Sequence, residues 1–519
     1  MDTANRVAKN TGLLYARMAI TVFISLYTTR LVLAALGVVD FGIFNVVSGA
    51  IVMLTFLNSA MASATQRFMS FSQGAGDHEK VKTIFNVSVL LHICIAIILF
   101  LLLEVVGYLL FKSILVIPVV RIKVAKLIYQ FMIVSTIFTV ISVPYEAVLN
   151  ARENMLAFSL FSIVEAILRL AIAFFVTCVH FDKLFMFGLL MATISFLLLL
   201  IKGIYCSKAY YECQIDIKNY FSKPVFNEMT KFAGWTFLGS SSSILANYGQ
   251  GIVINMFFGT IVNAAQGIAN QVSGQLGAFA MNMLKAINPV IDKSEGAGNR
   301  QKMLSVSMTG SKMSFYLSIL FIIPVYIEMP YILSLWLKEV PDYAIIFCRL
   351  LLIRNVIEQL YITMGNSIAA VGKIHSYQIA NSILNLFPLV IAYILFKFNF
   401  PPYALYIVFI GYAIFGGILT LYFTKKICDL SINLYLRKVI IPSFITIVLI
   451  VGFSLIPFLL LHEGFVKLIL VGVTSTISFF IFVWFFGFTM EEKFMTRQIM
   501  KTPIEKIRSL MRLETHFNR

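Results

Sequence analysis

Residues 74–80 read GAGDHEK and residues 296–302 read GAGNRQK, and the 222-residue step between them recurs along the chain. At the same offset Lys9 falls on Lys231, Gly12 on Gly234, Gly37 on Gly259, Met61 on Met283, Ala64 on Ala286 and Lys80 on Lys302. A shared GAG alone is weak. One fixed spacing held from Lys9 to Lys80, in register with the ends of apolar runs, marks an internal duplication. The matched Gly37 and Gly259 are expected in tight turns, where glycine accepts backbone angles that other residues avoid.

Working outward, those apolar runs continue from end to end. The chain has 519 residues, of which 60% are hydrophobic and only 13% charged, with a mean hydropathy of +0.90. Soluble domains carry about 25% charged residues. Fourteen candidate spans lie near 13–36, 42–64, 84–111, 125–149, 156–179, 184–205, 232–258, 263–288, 311–336, 343–370, 377–397, 402–424, 439–461 and 466–489. About 20 continuously apolar residues cross the hydrocarbon as a helix, whereas barrel strands alternate over about 10. The expected fold is therefore an all-α polytopic membrane protein.

Six spans, an even number, separate the two copies. The halves then share one orientation and are related by an axis along the membrane normal. Residues 1–222 form an N-terminal six-helix lobe and 223–430 a second one. Residues 431–490 add two further helices, and 491–519 form a basic tail. In that tail Ile499, Met500, Ile504, Ile507, Leu510 and Met511 are spaced for one helix face. This suits an amphipathic helix on an anionic leaflet or a plain solvated helix.

The formal charge of +17 comes from 41 Lys and Arg spread over short loops and the tail. No basic stripe interleaved with aromatics lies outside the apolar spans, which argues against a nucleic-acid partner. With the N-terminus inside, most of these cations fall on the inner side. Lys112, Arg121, Lys123, Lys126, Lys183, Lys338, Lys397 and Lys467 fall on the outer side. The positive-inside rule thus places both termini in the cytoplasm. The loop from Lys112 to Lys126 runs against the rule. The opening MDTANRVAKN leads into a span holding Arg17 and Arg30 with no small-residue cleavage site, and reads as an uncleaved first helix.

Catalytic chemistry finds no place to sit. Cys94, Cys178, Cys206, Cys213, Cys348 and Cys428 lie mostly in or beside spans, without CxxC or nearby His, so neither a metal site nor a disulfide framework is expected. Walker-type, HExxH and GxSxG motifs are absent, and no inter-span loop is long enough for a catalytic domain. No enzyme and no cofactor is expected. Transport by such a chain would be passive, ion-coupled or driven by a partner.

Charges inside spans cost a few kcal/mol each and mark pathways or buried pairs. Glu165 with Arg169, and Arg354 with Glu358, are four apart on one helix face. Each pair reads as a structural ion pair or as a proton or ion relay. Arg17, Arg30 and Lys285 have no acidic residue three or four positions away. They either snorkel to the interface or hold an anion such as a phosphate. The two matched helix pairs are also rich in amides, among them Asn45, Gln66, Asn247, Gln250, Asn255, Asn270 and Gln271. Amides glue helices at about 1 kcal/mol per bond, or line a hydrated, sugar-compatible cavity between the lobes. Pro144 and Pro289 are candidate kinks or ends of spans.

Several stretches together carry a family resemblance: TTRLVLAALGVVDFGIFNVVSG (28–49), ATQRFMSF (64–71), GAGD, ISVPYEAVLNARENM (141–155), FAGWTFLG (232–239), INMFFGTIVNAAQGIANQV (254–272) and ILSLWLKEVPDYA (332–344). In order and spacing they resemble the polysaccharide-flippase branch of the multidrug/oligosaccharidyl-lipid/polysaccharide exporter superfamily, the Wzx-like lipopolysaccharide and O-antigen biosynthesis proteins. The resemblance covers most of 1–430.

It implies two lobes around a cavity open alternately to either side of a bacterial inner membrane, lined by the first, second, seventh and eighth spans. The cargo it implies is undecaprenyl-diphosphate-linked oligosaccharide, flipped from the cytoplasmic to the periplasmic leaflet. Arg17, Arg30 and Lys285 would engage the diphosphate. Coupling to H+ or Na+ is implied without a site, since no acidic residue lies within those four spans; Glu165 is the first candidate. A cation-coupled multidrug exporter of the same superfamily is the alternative. A membrane glycan polymerase or ligase is the alternative of another class, and would need a long periplasmic loop.

Overall fold

Asp77, Asn154 and Asp182 each accept a backbone N–H three residues on, from Lys80, Ala157 and Phe185 at 3.0 to 3.1 Å. These caps satisfy amides that a helix start leaves open. They open three of the long helices in a computed structural model that describes residues 3–54, 56–114, 119–337, 340–494 and 496.

Among the described residues every regular element is a helix. In order run α1 (Thr3–Leu54), α2 (Phe56–Gly74), α3 (His78–Leu109), α4 (Ile122–Ala151), α5 (Met155–Cys178), α6 (Lys183–Ala209), the short α7 (Ile217–Tyr220) and α8 (Lys223–Gly296). Then follow α9 (Arg300–Ile327), α10 (Met329–Trp336), α11 (Ala344–Gln359), α12 (Ile362–Val371), α13 (His375–Lys397), α14 (Ala404–Cys428), α15 (Ile432–Tyr435), α16 (Ile441–Leu460) and α17 (Phe465–Phe482). Nine described segments are long and apolar enough to cross a membrane. Helices α1 and α8, each broken at one glycine, together with the α11–α12 pair, accommodate the fourteen expected spans. The chain is a multi-pass membrane protein.

The duplication is visible in the backbone. Gly37 (φ 75°, ψ 169°) interrupts α1 and Gly259 (φ 75°, ψ −170°) interrupts α8, 222 residues apart. This corner of conformational space is accessible in practice only to glycine. Each interruption is confined to a single residue, at the two glycines expected in tight turns. After α2 the amides of Ala75, Gly76 and Asp77 donate to the carbonyls of Phe71, Gln73 and Ser72. After α8 those of Ala297, Gly298 and Asn299 donate to Lys293, Glu295 and Ser294. All three bonds repeat at the same offset.

Helix boundaries depart from the spans where polar residues keep the helical state. Helix α2 runs on to Gly74 and α9 begins at Arg300, because Ser, Gln and Arg tolerate a helix in water as well as in lipid. Pro144 and Pro289 lie inside α4 and α8 without ending them. The tail positions from Ile499 to Met511 lie outside the described residues.

Two units emerge, one of residues 12–241 with 292–299, the other of 1–11, 242–291 and 300–519. In the first, Leu103, Ile128, Tyr129 and Ile133 form one buried cluster and Ile172, Ala173, Val176 and Phe187 another. Near Gly37, Arg121 donates to Asp40 through Nε at 2.8 Å and through Nη2, and to Asp182 through Nη1 at 2.5 Å. Two carboxylates thus balance the one guanidinium. In the second unit Phe347, Tyr406 and Phe409 centre a core that also takes in Ile450 of α16 and Val471 and Phe479 of α17. A buried hydroxyl ladder joins α9 to α12, Ser307 to Ser367 at 2.6 Å and Ser311 to Thr363 at 2.5 Å. Lys312 anchors the end of the last span, donating to Glu492 at 2.5 Å and to the Gly487 carbonyl at 3.2 Å.

Candidate functional site

The candidate polar residues divide between the units. Arg17 is half-buried on α1, its guanidinium 5.3 Å from the centre of the Phe158 ring, a cation–π placement. Gln66 on α2 is half-buried as well. The side chains of Arg30, Asn45 and Asn255 lie outside those described.

On α8 the amides separate into two groups. Gln250 is buried and its amide lies 3.5 Å from Asn247. Asn288 accepts from Asn366 at 2.7 Å, and Ser243 and Ser273 receive Asn385 and Asn355 at 3.1 and 2.9 Å. The bonds of Asn288, Ser243 and Ser273 join α8 to neighbouring helices, whereas that of Gln250 stays within α8. Asn247, Asn270, Gln271 and Lys285 are exposed.

The helix-spaced charges form ion pairs. Arg169 donates to Glu165 at 2.6 Å on a largely exposed face of α5. Arg354 donates to Glu358 at 2.8 Å and sits 4.9 Å from the Phe409 ring, within the apolar core of its unit.

A second charged group was not visible in the sequence. It surrounds the GAG turns in the first unit. Arg67 is 8% exposed and stacks over Phe68, Phe71 and Phe232 at 4.5, 5.0 and 5.2 Å. Burial lowers its pKa, and the charges of Asp292, Glu228 and Glu295 oppose that shift. Asp292 is itself buried, which pushes its carboxyl up to about 8 against the pull of Arg67. Lys293 donates to the buried Glu153 at 2.7 Å, and Glu153 sits in the left-handed region at φ 56°. Arg152 grips the fully buried Glu212 with two bonds of 2.8 Å. Sequence reading treats Arg67 and Lys293 as loop cations, because their partners lie far along the chain.

Two glycines allow this crowding. A Cβ on Gly74 would strike the Lys293 backbone, and a Cβ on Gly296 would strike the Phe71 carbonyl. Since 293 is 71 shifted by the repeat and 296 is 74 shifted, the two contacts are reciprocal. Among the described residues no group of three or more His, Cys, Asp and Glu gathers as a metal site.

Comparison with known proteins gives the fold a precedent. Residues 15–175 match the family model described as MatE. No curated protein matches. Among solved structures, an outward-facing multidrug resistance MATE family transporter of the MOP superfamily superposes with a TM-score of 0.71 at 13% identity, over 83% of this chain and 96% of that one. A MATE crystallised in a straight conformation gives 0.69 at 14%, over 83% and 97%. A MOP superfamily transporter from Pyrococcus furiosus Vc1, whose report describes reverse polarity of its binding pocket, gives 0.68 at 14%, over 83% and 96%. The chain shares the fold of these proteins.

Proposed function

We propose that this chain is a transporter of the MATE-like fold that flips undecaprenyl-diphosphate-linked glycan units across the inner membrane, toward lipopolysaccharide or other surface polysaccharide. The observation that carries the reading is the polarity of its matched helices. Lys285 stands exposed with Asn247, Asn270 and Gln271 on α8, Arg17 lies on α1, and no Asp or Glu falls within 13–36, 42–64, 232–258 or 263–288. Ammonium and guanidinium groups suit a diphosphate, and exposed amides suit sugar hydroxyls. A polyprenyl tail can remain in hydrocarbon while the hydrated headgroup follows the polar helices. The cations Arg17, Arg30 and Lys285 would hold the phosphates.

For coupling to H+ or Na+, the carboxylates we assign are Glu165 beside Arg169 and Glu358 beside Arg354. Alternating exposure of the cargo site follows from two like halves rocking.

A cation-coupled multidrug exporter is the second reading, favoured by the multidrug MATE among the fold neighbours. Such a carrier attracts organic cations with carboxylates, and the four spans 13–36, 42–64, 232–258 and 263–288 carry none. The Pyrococcus furiosus neighbour, whose reversed pocket polarity suggests a different function, is a precedent for a change of pocket polarity on this fold.

The test is export in a strain lacking the endogenous flippase. Lys285→Ala and Arg30→Ala are expected to abolish surface glycan while the protein still inserts, with ethidium efflux at background throughout. Normal surface polysaccharide in both variants overturns the reading, and robust ethidium efflux by the unaltered protein moves it to the exporter.

A further inference from the structure

The loop that runs against the positive-inside rule borders a cavity. Past Gly107 the regular turns of α3 give way to a π-helical turn, Leu110–Ile114, a distortion that often accompanies function. Gly107 lets the Tyr129 ring of α4 lie against the α3 backbone, since a Cβ there would strike the ring. The Tyr129 hydroxyl donates to the Leu103 carbonyl at 2.5 Å and fixes the arrangement. Between the two helices opens a cavity of about 510 Å³, lined by Glu104, Tyr108, Phe111, Lys112, Lys126 and Gln130. That is within the size range of small-ligand sites, about 300–1,000 Å³.

Its chemistry is bipolar. Lys112 Nζ lies 3.3 Å from the Tyr108 hydroxyl, and Lys126 Nζ lies 6.0 Å from the centre of the Phe111 ring. Among the described residues neither lysine, nor Glu104, forms an ion pair. Arg121 of the same loop is engaged by Asp40 and Asp182, whereas Lys112 and Lys126 are the two cations that line the cavity. The α3 surface beside the cavity is apolar and open, with Leu101, Val105 and Leu109 exposed by 58%, 59% and 50%.

Two ammoniums and one carboxylate, ringed by aromatics and continuous with a lipid-facing strip, match a headgroup that carries both a phosphate and a primary amine. We propose that this cavity is a binding site for an aminophospholipid of the phosphatidylethanolamine class. Lys112 and Lys126 take the phosphate diester, Glu104 takes the ammonium, and the acyl chains run along Leu101, Val105 and Leu109. Lysines in this loop are then retained by their ligand and do not set topology. The site is independent of the cargo.

The experiment is native mass spectrometry of the full-length protein in detergent, titrated with dioctanoyl-phosphatidylethanolamine, dioctanoyl-phosphatidylglycerol or inorganic phosphate. The expected result is tightest retention of the phosphatidylethanolamine, an affinity loss of about tenfold or more in the Lys112→Gln/Lys126→Gln double variant, and in Glu104→Gln a loss confined to the phosphatidylethanolamine. All three side chains are at least partly exposed, so the variants should stay monodisperse. Unchanged retention in the double variant overturns the site. Inorganic phosphate binding as tightly as the lipid, or phosphatidylglycerol binding more tightly than phosphatidylethanolamine, overturns the aminophospholipid assignment.

Discussion

Set side by side, the turn that follows α2 and the turn that follows α8 have the same backbone and almost opposite side chains. Both carry the same three hydrogen bonds, and Gly76 and Gly298 stand at φ 74° and 73°. Yet Arg67 in the first copy corresponds to Pro289 in the second, Ser70 to Asp292, Phe71 to Lys293 and Gln73 to Glu295. The buried charge of this corner is assembled from both copies, Arg67 from one and Asp292 and Lys293 from the other. Duplication preserved the positions where only backbone geometry matters. Where a side chain could specialise, the copies became complementary.

The sharpest way to break that comparison is to add bulk at the shared contact. Gly74→Val and Gly296→Val each force atoms into backbone that cannot move aside, and overpacking of this kind costs about 1–3 kcal/mol or more. Both variants should lose comparable thermal stability in detergent, and a large difference between them would show that the reciprocity is only apparent. Next come Gly37→Ala and Gly259→Ala, whose backbone is closed to side chains, at about 1–3 kcal/mol each. Equal losses support equal turns.

A smaller effect tests the divergence. The Asp292 carboxyl stays protonated in the folded protein up to about pH 8, while an unfolded Asp loses its proton near pH 4. The folded state therefore binds more protons over that interval, and stability should fall as pH rises from about 4 to 8. Asp292→Asn should flatten this slope in melting curves taken at pH 5 and pH 8.5. Ser70→Ala, at the corresponding position, should leave it unchanged. Smallest of all, Gly12→Ala and Gly234→Ala meet no neighbour within 4 Å and should shift stability by less than about 1 kcal/mol.

Much of the architecture could be read from the chain because membrane spans announce themselves by length and hydropathy, and because glycines at fixed spacing mark turns. Helix ends were less legible. Nothing in QRFMSFSQG signals that α2 continues beyond the hydrocarbon to Gly74. The charged corner was hidden for a different reason. Arg67 and Asp292 are more than two hundred positions apart, and in a linear reading each is one more polar residue at a span end. The left-handed Glu153 carries no local signal either, since αL positions usually belong to Gly or Asn. The amides of α8 were recognisable as a set, but their division into those bonding within the fold and those left exposed depends on which face each one occupies.

The reciprocal glycines have a genetic corollary. A bulky substitution at Gly74 or Gly296 is opposed by main-chain atoms, which no codon change elsewhere can trim. A selection for suppressors of a Gly296 variant should then return true revertants at that codon, or changes that shift a whole turn, and few single-residue compensations. Since the repeat arose, these two positions have been committed to share one fate.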